Sequence, residues 1–344
     1  MTAKEIAQLC NVSTATVSNI LNGKGKASPA TVKKVMKVVN ETQYKPNPVA
    51  KSLRTKVTKT VGIIAEDIAQ FTTPDLLEGL MEVLEDAGYR TVVVNLRLYA
   101  RWGDRWYDSE ESVQSVLAPA IAELSSVQVD GIVYIAGHVR NIKGFSDRVD
   151  VPSVITHAYS DSDETTSVML DDIAGGYEIT KYLLDRGHTK IGFIGGQKDN
   201  AHTRRRLEGY QKALYEAKIP FNPDYLTYGD WERESGYKCM KKLIDKDITA
   251  VFAVSDRMAG GAYDVLEERG LVAGEDLSVV GYDDMVIANY FRPGLTTMQM
   301  PLNAMGRKTA SCLVSKMEGD TELNGKKIFI PCTLIERKSV KDIR

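Results

Sequence analysis

Thr14, Ala15, Ser18 and Asn19 fall on the outward side of a short helical pattern, Thr14 to Leu21, whose other side is Val17, Ile20 and Leu21. Small polar and methyl side chains near a helix N-terminus suit contacts to base edges in a DNA major groove. A second set of chemically capable residues lies far along the chain. Asp171 follows Val168-Met169-Leu170, Trp231 follows Tyr228-Gly229-Asp230, and Asp283 follows the apolar run Leu277 to Tyr282. Arg206 opens the helical stretch after Gly195-Gly196. Carboxylates, a guanidinium and an indole are the equipment for hydroxyl groups and the flat face of a sugar ring. Each also has a plainer reading. The aspartates could cap helices or pair in loops, Arg206 could lie on the surface beside Arg204-Arg205, and Trp231 could be core.

The elements that must hold the first set are compact. Thr2 caps a helix and Glu5, three residues on, completes a capping box. Ile6, Ala7, Leu9 and Cys10 give it an inward face, Asn11-Val12 turn the chain, and Ser13 caps the next helix. The result is a helix-turn-helix. Ser28 caps and Pro29 opens a third helix with an apolar stripe at Val32, Val35, Met36 and Val39. Lys33, Lys34 and Lys37 lie off that stripe, toward phosphate or water. Asn47 can then cap, and Pro48 open, a short helix through Arg54. A helix below ~12 residues is marginal alone, so it needs a partner to form. Residues 1–60 hold eleven Lys/Arg against two acids, a net +9, and the whole chain is −2, leaving −11 on the rest. A basic head on an acidic body is the electrostatic footprint of a DNA-binding arm.

From Thr60 onward apolar runs alternate with helical patterns. Strands are expected at 61–65, 91–94, 131–136, 152–156 and 167–170, then at 190–194, near 225–228, and at 249–254 and 277–282. Helices are expected at 74–87, 110–125, 172–186, 204–217, 233–244 and 256–268. Continuous apolar strands between helices mean parallel sheets covered on both faces, and two such series mean two lobes with a cleft beyond the strands' carboxyl ends. The Arg/Trp-rich segment 97–108 follows a strand end. It reads either as an extra wall of the cleft or as a surface loop. His138 and His157 also follow strands, and the four isolated histidines are expected to be structural.

Gly192-Phe193-Ile194-Gly195-Gly196 lacks the spacing of a dinucleotide fingerprint. No Walker sequence, Gly-x-Ser-x-Gly elbow or nucleophile–base pair is present, so neither an enzyme nor a bound cofactor is expected. Cys10, Cys239, Cys312 and Cys332 are scattered without metal or redox spacing and read as free thiols. With no leader and no apolar run of ~18–20 residues, the expectation is a cytoplasmic protein without membrane contact.

The head resembles the DNA-binding domain of the lactose-repressor/galactose-repressor family. The resemblance rests on Ala3-Lys4-Glu5-Ile6-Ala7, Val12 to Ser18, Leu21-Asn22 and Tyr44 to Ala50. It implies that Thr14, Ala15 and Asn19 read bases, and that Ala50 and Leu53 lie on a hinge helix whose leucine wedges into a palindromic operator. Asn19 stands where the family usually has Arg, which shifts the expected pairing from guanine toward adenine. The body is similar to the family's periplasmic-binding-protein-like domain, through Leu184 to His188, Ile191 to Gly196, Ser255-Asp256, Val280 to Asp284 and Pro293 to Thr297. The expected fold is thus a small all-α helix-turn-helix head plus a two-lobed α/β body with parallel sheets.

The implied domains are 1–46, a hinge at 47–59, and a body at 60–344 with an N-lobe of 60–187 plus 299–320. The C-lobe is the remainder, 188–298 and 321–344. The resemblance also places Asp171, Arg206, Trp231, Ser255 and Asp283 on the effector. The implied protein is a repressor that binds a palindromic operator as a homodimer under control of a small molecule, most simply a carbohydrate. A purine-responsive repressor and a periplasmic-type solute-binding protein are the alternatives.

Overall fold

A computed structural model describes residues 1–21, 23–24, 27–44, 57–103 and 109–344. Asn47, Ala50, Leu53 and Arg54, expected on a hinge helix, lie outside the described residues, as do 104–108 of the Arg/Trp-rich segment. The chain divides into two compact units, Met1–Lys59 and Thr60–Arg344.

The first unit holds α1 (Ala3–Cys10), α2 (Thr14–Leu21) and α3 (Pro29–Glu41). The Thr2–Glu5 capping box is formed, and Asn11 ends α1 in the left-handed conformation. Ser13 Oγ accepts from the Thr16 N–H at 3.0 Å, and Ser28 Oγ from the Thr31 N–H at 3.2 Å. The core is Ile6, Ala7, Cys10, Val17, Val35 and Val39, with Ile20, Leu21, Val38 and Tyr44 packed against it. Leu9, Val32 and Met36, expected inward, are exposed. Val38 takes the place of the outer pair, so the buried stripe of α3 is narrower than its apolar sequence pattern.

In the second unit β1 (Thr60–Ala65), α4 (Thr73–Asp86), β2 (Arg90–Asn95), α5 (Leu98–Trp102) and α6 (Glu110–Ser126) precede β3 (Gly131–Ile135), β4 (Ser153–Thr156) and β5 (Thr166–Leu170). There follow α7 (Asp172–Leu184), β6 (Ile191–Gly195), α8 (Ala201–Glu216), β7 (Leu226–Tyr228), α9 (Arg233–Leu243), β8 (Ala250–Ala253), α10 (Asp256–Glu268), β9 (Ser278–Asp283) and β10 (Thr296–Gln299). The chain closes with α11 (Leu302–Met317), β11 (Lys327–Ile330) and β12 (Thr333–Ile335).

Two six-stranded sheets result, in the orders β11-β5-β4-β3-β1-β2 and β12-β10-β9-β8-β6-β7. The first is parallel throughout, and the second is parallel except for β12, which runs against β10. β1, β3, β4, β5, β6 and β8 are buried along their whole length, as strands covered on both faces must be.

The passage after Met298 falls where the sequence suggests, since β10 belongs to the second sheet and α11 packs on the first, but the other two passages do not. α7, expected in the N-lobe, packs on α8, β10 and β12 of the second lobe, while α11 packs on α4 and the first sheet. Glycines set both pairings. A Cβ at Gly176 or Gly209 would strike the opposing backbone of α8 or α7, and one at Gly79 or Gly306 that of α11 or α4. The first crossing therefore lies at Asp171, not at Gly187-His188. The last lies after Ile330, because β11 pairs with β5 in the first sheet and only β12 joins the second. The expected crossing at 319–325 is displaced accordingly.

Candidate functional site

The carboxyl ends of both sheets face a cavity of about 330 Å³. From the first lobe it is walled by Phe71 after β1, Tyr99 after β2, His138 after β3 and His157 after β4. From the second come Arg206 on α8, Trp231 and Ser255 after β7 and β8, and Asp283 at the end of β9. Four of the five expected ligand residues are thus brought together.

Asp171 is not among the cavity's walls. It is the N-cap of α7, its carboxylate accepting from the Ala174 N–H at 3.0 Å. The neighbouring Asp172 joins the cluster instead. Its fully buried carboxylate accepts from Arg206 Nε at 2.9 Å and His202 Nδ1 at 2.8 Å. Burial pushes the Asp172 carboxyl up, but the His202 ring and the Arg206 guanidinium override it and hold it well below the usual carboxylate range.

Arg206 is pinned on every side. Its Nη1 donates to the Val254 carbonyl at 2.6 Å, its plane lies 3.6 Å from the Tyr282 ring centre, and Asp283 sits 3.6 Å from Nη1. Nη2 reaches only the Met300 thioether, at 3.8 Å. Burial disfavours the charge on Arg206, yet the facing Asp172 carboxylate keeps its pKa above the ordinary value.

Ser255 caps α10 by accepting from the Met258 N–H at 3.2 Å, while its hydroxyl donates to the Trp231 carbonyl at 3.3 Å. It thereby ties the Trp231 backbone to the start of α10. Trp231, Asp283 and His157 all have positive φ, at 79°, 113° and 63°. Such backbone is strained for bulky residues and collects at functional sites.

Three of the four histidines are not isolated, whereas His188 is held structurally by Thr249, Ser278 and the Lys341 carbonyl. His138, His157 and His202 meet at the cavity, with the His157 and His202 rings tilted by 30° at 4.9 Å between centres and His138 6.3 Å from His202. Tyr99 Oη lies 2.7 Å from His138 Nε2. The one sequence signal was position, since His138 and His157 follow strand ends. His202 sits near the start of α8, one turn before Arg206.

The Gln70 Oε1, Thr72 Oγ1, His157 Nε2 and Trp231 Nε1 atoms are buried without a hydrogen-bond partner, and all four residues line this one cavity. Buried polar atoms are rarely left unpaired, so a concentration of them marks a place where a ligand completes the bonding.

Burial pushes the Asp283 carboxyl up to about 7 against the pull of Arg206, and Asp172 adds to the rise. In the unfolded chain an aspartate titrates near pH 3.9. A raised folded pKa means stability that is present below about pH 4 and lost as pH rises through about 7. Asp283→Asn is expected to raise the ligand-free unfolding midpoint at about pH 8 and to match the unsubstituted protein near pH 4. Fluorimetric melts across pH read this, and a gap of constant size would contradict it.

In the first unit Thr14, Ala15 and Asn19 are exposed and Ser18 is half-buried on α2, while Val17 points into the core. The exposed residues begin at the first turn of the helix, the end that enters the groove in helix-turn-helix readers. Lys33, Lys34 and Lys37 are exposed on α3.

A helix-turn-helix unit and a two-lobed ligand-binding body in one chain define a ligand-responsive transcription regulator. Residues 2–47 match the family model of bacterial regulatory proteins, lacI family, and residues 180–340 a periplasmic binding protein-like domain. The chain is 30% identical to the HTH-type transcriptional repressor PurR of Vibrio cholerae serotype O1, over 99% of this chain and 98% of that one. It is 30% identical to the ribose operon repressor of Haemophilus influenzae, over 100% and 99%. The solved complex of the transcriptional regulator CelR with cellobiose is similar at a TM-score of 0.66 and 28% identity, over 98% of this chain and 99% of that one. This chain belongs to the lacI family, and it is a DNA-binding transcriptional repressor with an effector-binding body.

Proposed function

We propose that the effector is a carbohydrate, and that it acts on a homodimer bound to a palindromic operator in the cytoplasm, without any enzymatic step. The unpartnered polar atoms carry this reading. Gln70, Thr72 and His157 present theirs from the first lobe and Trp231 from the second, joined there by Arg206 Nη2 and Asp283. Hydroxyls spaced around a ring both donate and accept, so one sugar can satisfy groups of both kinds on both lobes. Trp231, Tyr99 and Phe71 supply apolar faces for the ring.

Homodimerisation is supported by exposed apolar side chains on α4 and the edge strand β2 (Met81, Val92, Val93) and on the turn at Val286, Ile287 and Tyr290. The expected readers Thr14, Ala15, Ser18 and Asn19 are offered as base contacts, with Asn47, Ala50, Leu53 and Arg54 as minor-groove contacts. Two copies of one short recognition helix give the specificity that a single copy lacks.

The test is a thermal-shift panel of sugars beside hypoxanthine and guanine, followed by operator binding over a salt series. A sugar should raise the midpoint by mass action and alter operator affinity, which should itself fall steeply with salt. A shift from the purines alone would replace the carbohydrate reading with the purine one, in keeping with the similarity to PurR.

A further inference from the structure

His157 stands out because everything around it fixes both its plane and its tautomer. Its Nδ1 lies 3.2 Å from the Ala136 carbonyl oxygen. A carbonyl can only accept, so Nδ1 carries the proton and Nε2 is left with a lone pair. That Nε2 is one of the cavity's unpartnered buried atoms. The neighbouring His202 cannot serve it. His202 Nδ1 donates to Asp172, and its Nε2 accepts from the Val139 N–H at 3.4 Å. Burial pushes His157 down to about 3, so it stays neutral at any physiological pH. On the other lobe the Trp231 indole N–H is a buried donor in want of an acceptor.

The charges in the cavity are already spoken for. Arg206 faces Asp172, and Arg257 pairs with Glu232 at 2.8 Å. Asp67, Asp230 and Asp283 also line the wall. Among the described lining residues neither arginine is left without a carboxylate, and the carboxylates outnumber them.

We propose that His157 is the specificity-determining residue of this cavity, its Nε2 accepting a hydrogen bond from one hydroxyl of the effector while Trp231 Nε1–H donates to the same molecule, so that the effector is an uncharged polyhydroxylated ring and its phosphorylated counterpart is rejected. This rests on the carbohydrate reading above and narrows it. A hydroxyl satisfies His157 because it can donate. A phosphate dianion offers only acceptors and would meet a carboxylate-rich wall without a free cation.

The test uses the full-length protein and calorimetric titration with cellobiose, lactose, maltose, D-glucose and D-ribose, with glucose 6-phosphate, ribose 5-phosphate and hypoxanthine beside them. The sugar that binds is then compared with its monodeoxy series on the unsubstituted protein, His157→Leu and His157→Gln. One monodeoxy analogue should bind the unsubstituted protein at least about ten-fold more weakly than its parent, because it leaves Nε2 unpaired. On His157→Leu that analogue and its parent should bind alike, and His157→Gln, which keeps an acceptor, should recover part of the difference.

Equal binding of a sugar and its phosphate, or a His157→Leu variant that still discriminates against the same deoxy analogue, would overturn the proposal while leaving a carbohydrate effector standing. Binding of hypoxanthine and of no sugar would overturn both.

Discussion

Replacing Asp172 with alanine is expected to lower the unfolding midpoint of the body by roughly 5–10 °C, whereas Asp171→Ala, one residue away, costs about 1 kcal/mol. Asp172 is fully buried and satisfies Arg206 and His202 at once. Without it a buried guanidinium keeps only Asp283, at 3.6 Å, as a counter-charge. Removing one partner of a buried ion pair typically costs about 3–5 kcal/mol, because the other stays desolvated. Asp171 caps α7 with a single bond to the Ala174 N–H.

The pH dependence separates the two mechanisms further. The folded Asp172 carboxyl is depressed below its unfolded value. Its stabilisation is therefore present above about pH 4 and lost as pH falls through the folded value, so the deficit of Asp172→Ala should shrink in acid. Scanning calorimetry of both variants at neutral pH and at about pH 3 measures this. Equal midpoints for the two variants at neutral pH would show that the Asp172–Arg206 pair contributes no net stability.

The choice between these adjacent aspartates shows where the sequence stops being informative. That a carboxylate follows β5 is plain from the apolar run Val168-Met169-Leu170. Which one faces the cleft depends on where α7 begins, and a shift of one residue turns a helical side chain by about 100°. Strand positions read well, because a buried parallel strand is a continuous apolar run and needs no partner to be recognised. β12 and the lobe crossings were not legible in this way. Gly187-His188 marks the end of a helix, with Gly187 at a positive φ of 90°, but which lobe that helix serves depends on its packing against α8. The glycines 176 and 209 were the available signal, and they gain meaning only when paired across two helices. The histidine cluster was hidden for the same reason, since 138 and 157 follow two strands and 202 lies in the first turn of α8, and only the two-sheet topology draws them together.

Ile6→Ala is expected to abolish operator binding while leaving the main unfolding transition of the body and its response to effector unchanged. The DNA-binding unit is held by a core of Ile6, Ala7, Cys10, Val17, Val35 and Val39, and Ile6 is fully buried within it. Truncating a buried isoleucine to alanine costs about 2–5 kcal/mol, comparable to the whole stability available to a domain of this size. This unit and the body are separate compact units that divide at Lys59, each with its own core, so its loss need not propagate. Leu9→Ala on the same helix is the internal comparison, because Leu9 is 59% exposed and a surface change typically moves stability by less than about 0.5 kcal/mol.

Electrophoretic mobility shifts at low salt, where phosphate contacts are strongest, give Ile6→Ala its best chance to bind. Operator affinity should still fall at least about 100-fold for Ile6→Ala and hold for Leu9→Ala, each 1.4 kcal/mol being a factor of ten. Undiminished binding by Ile6→Ala would mean that DNA itself supplies the folding energy of the reader. The small apolar core would then set its stability only off the operator.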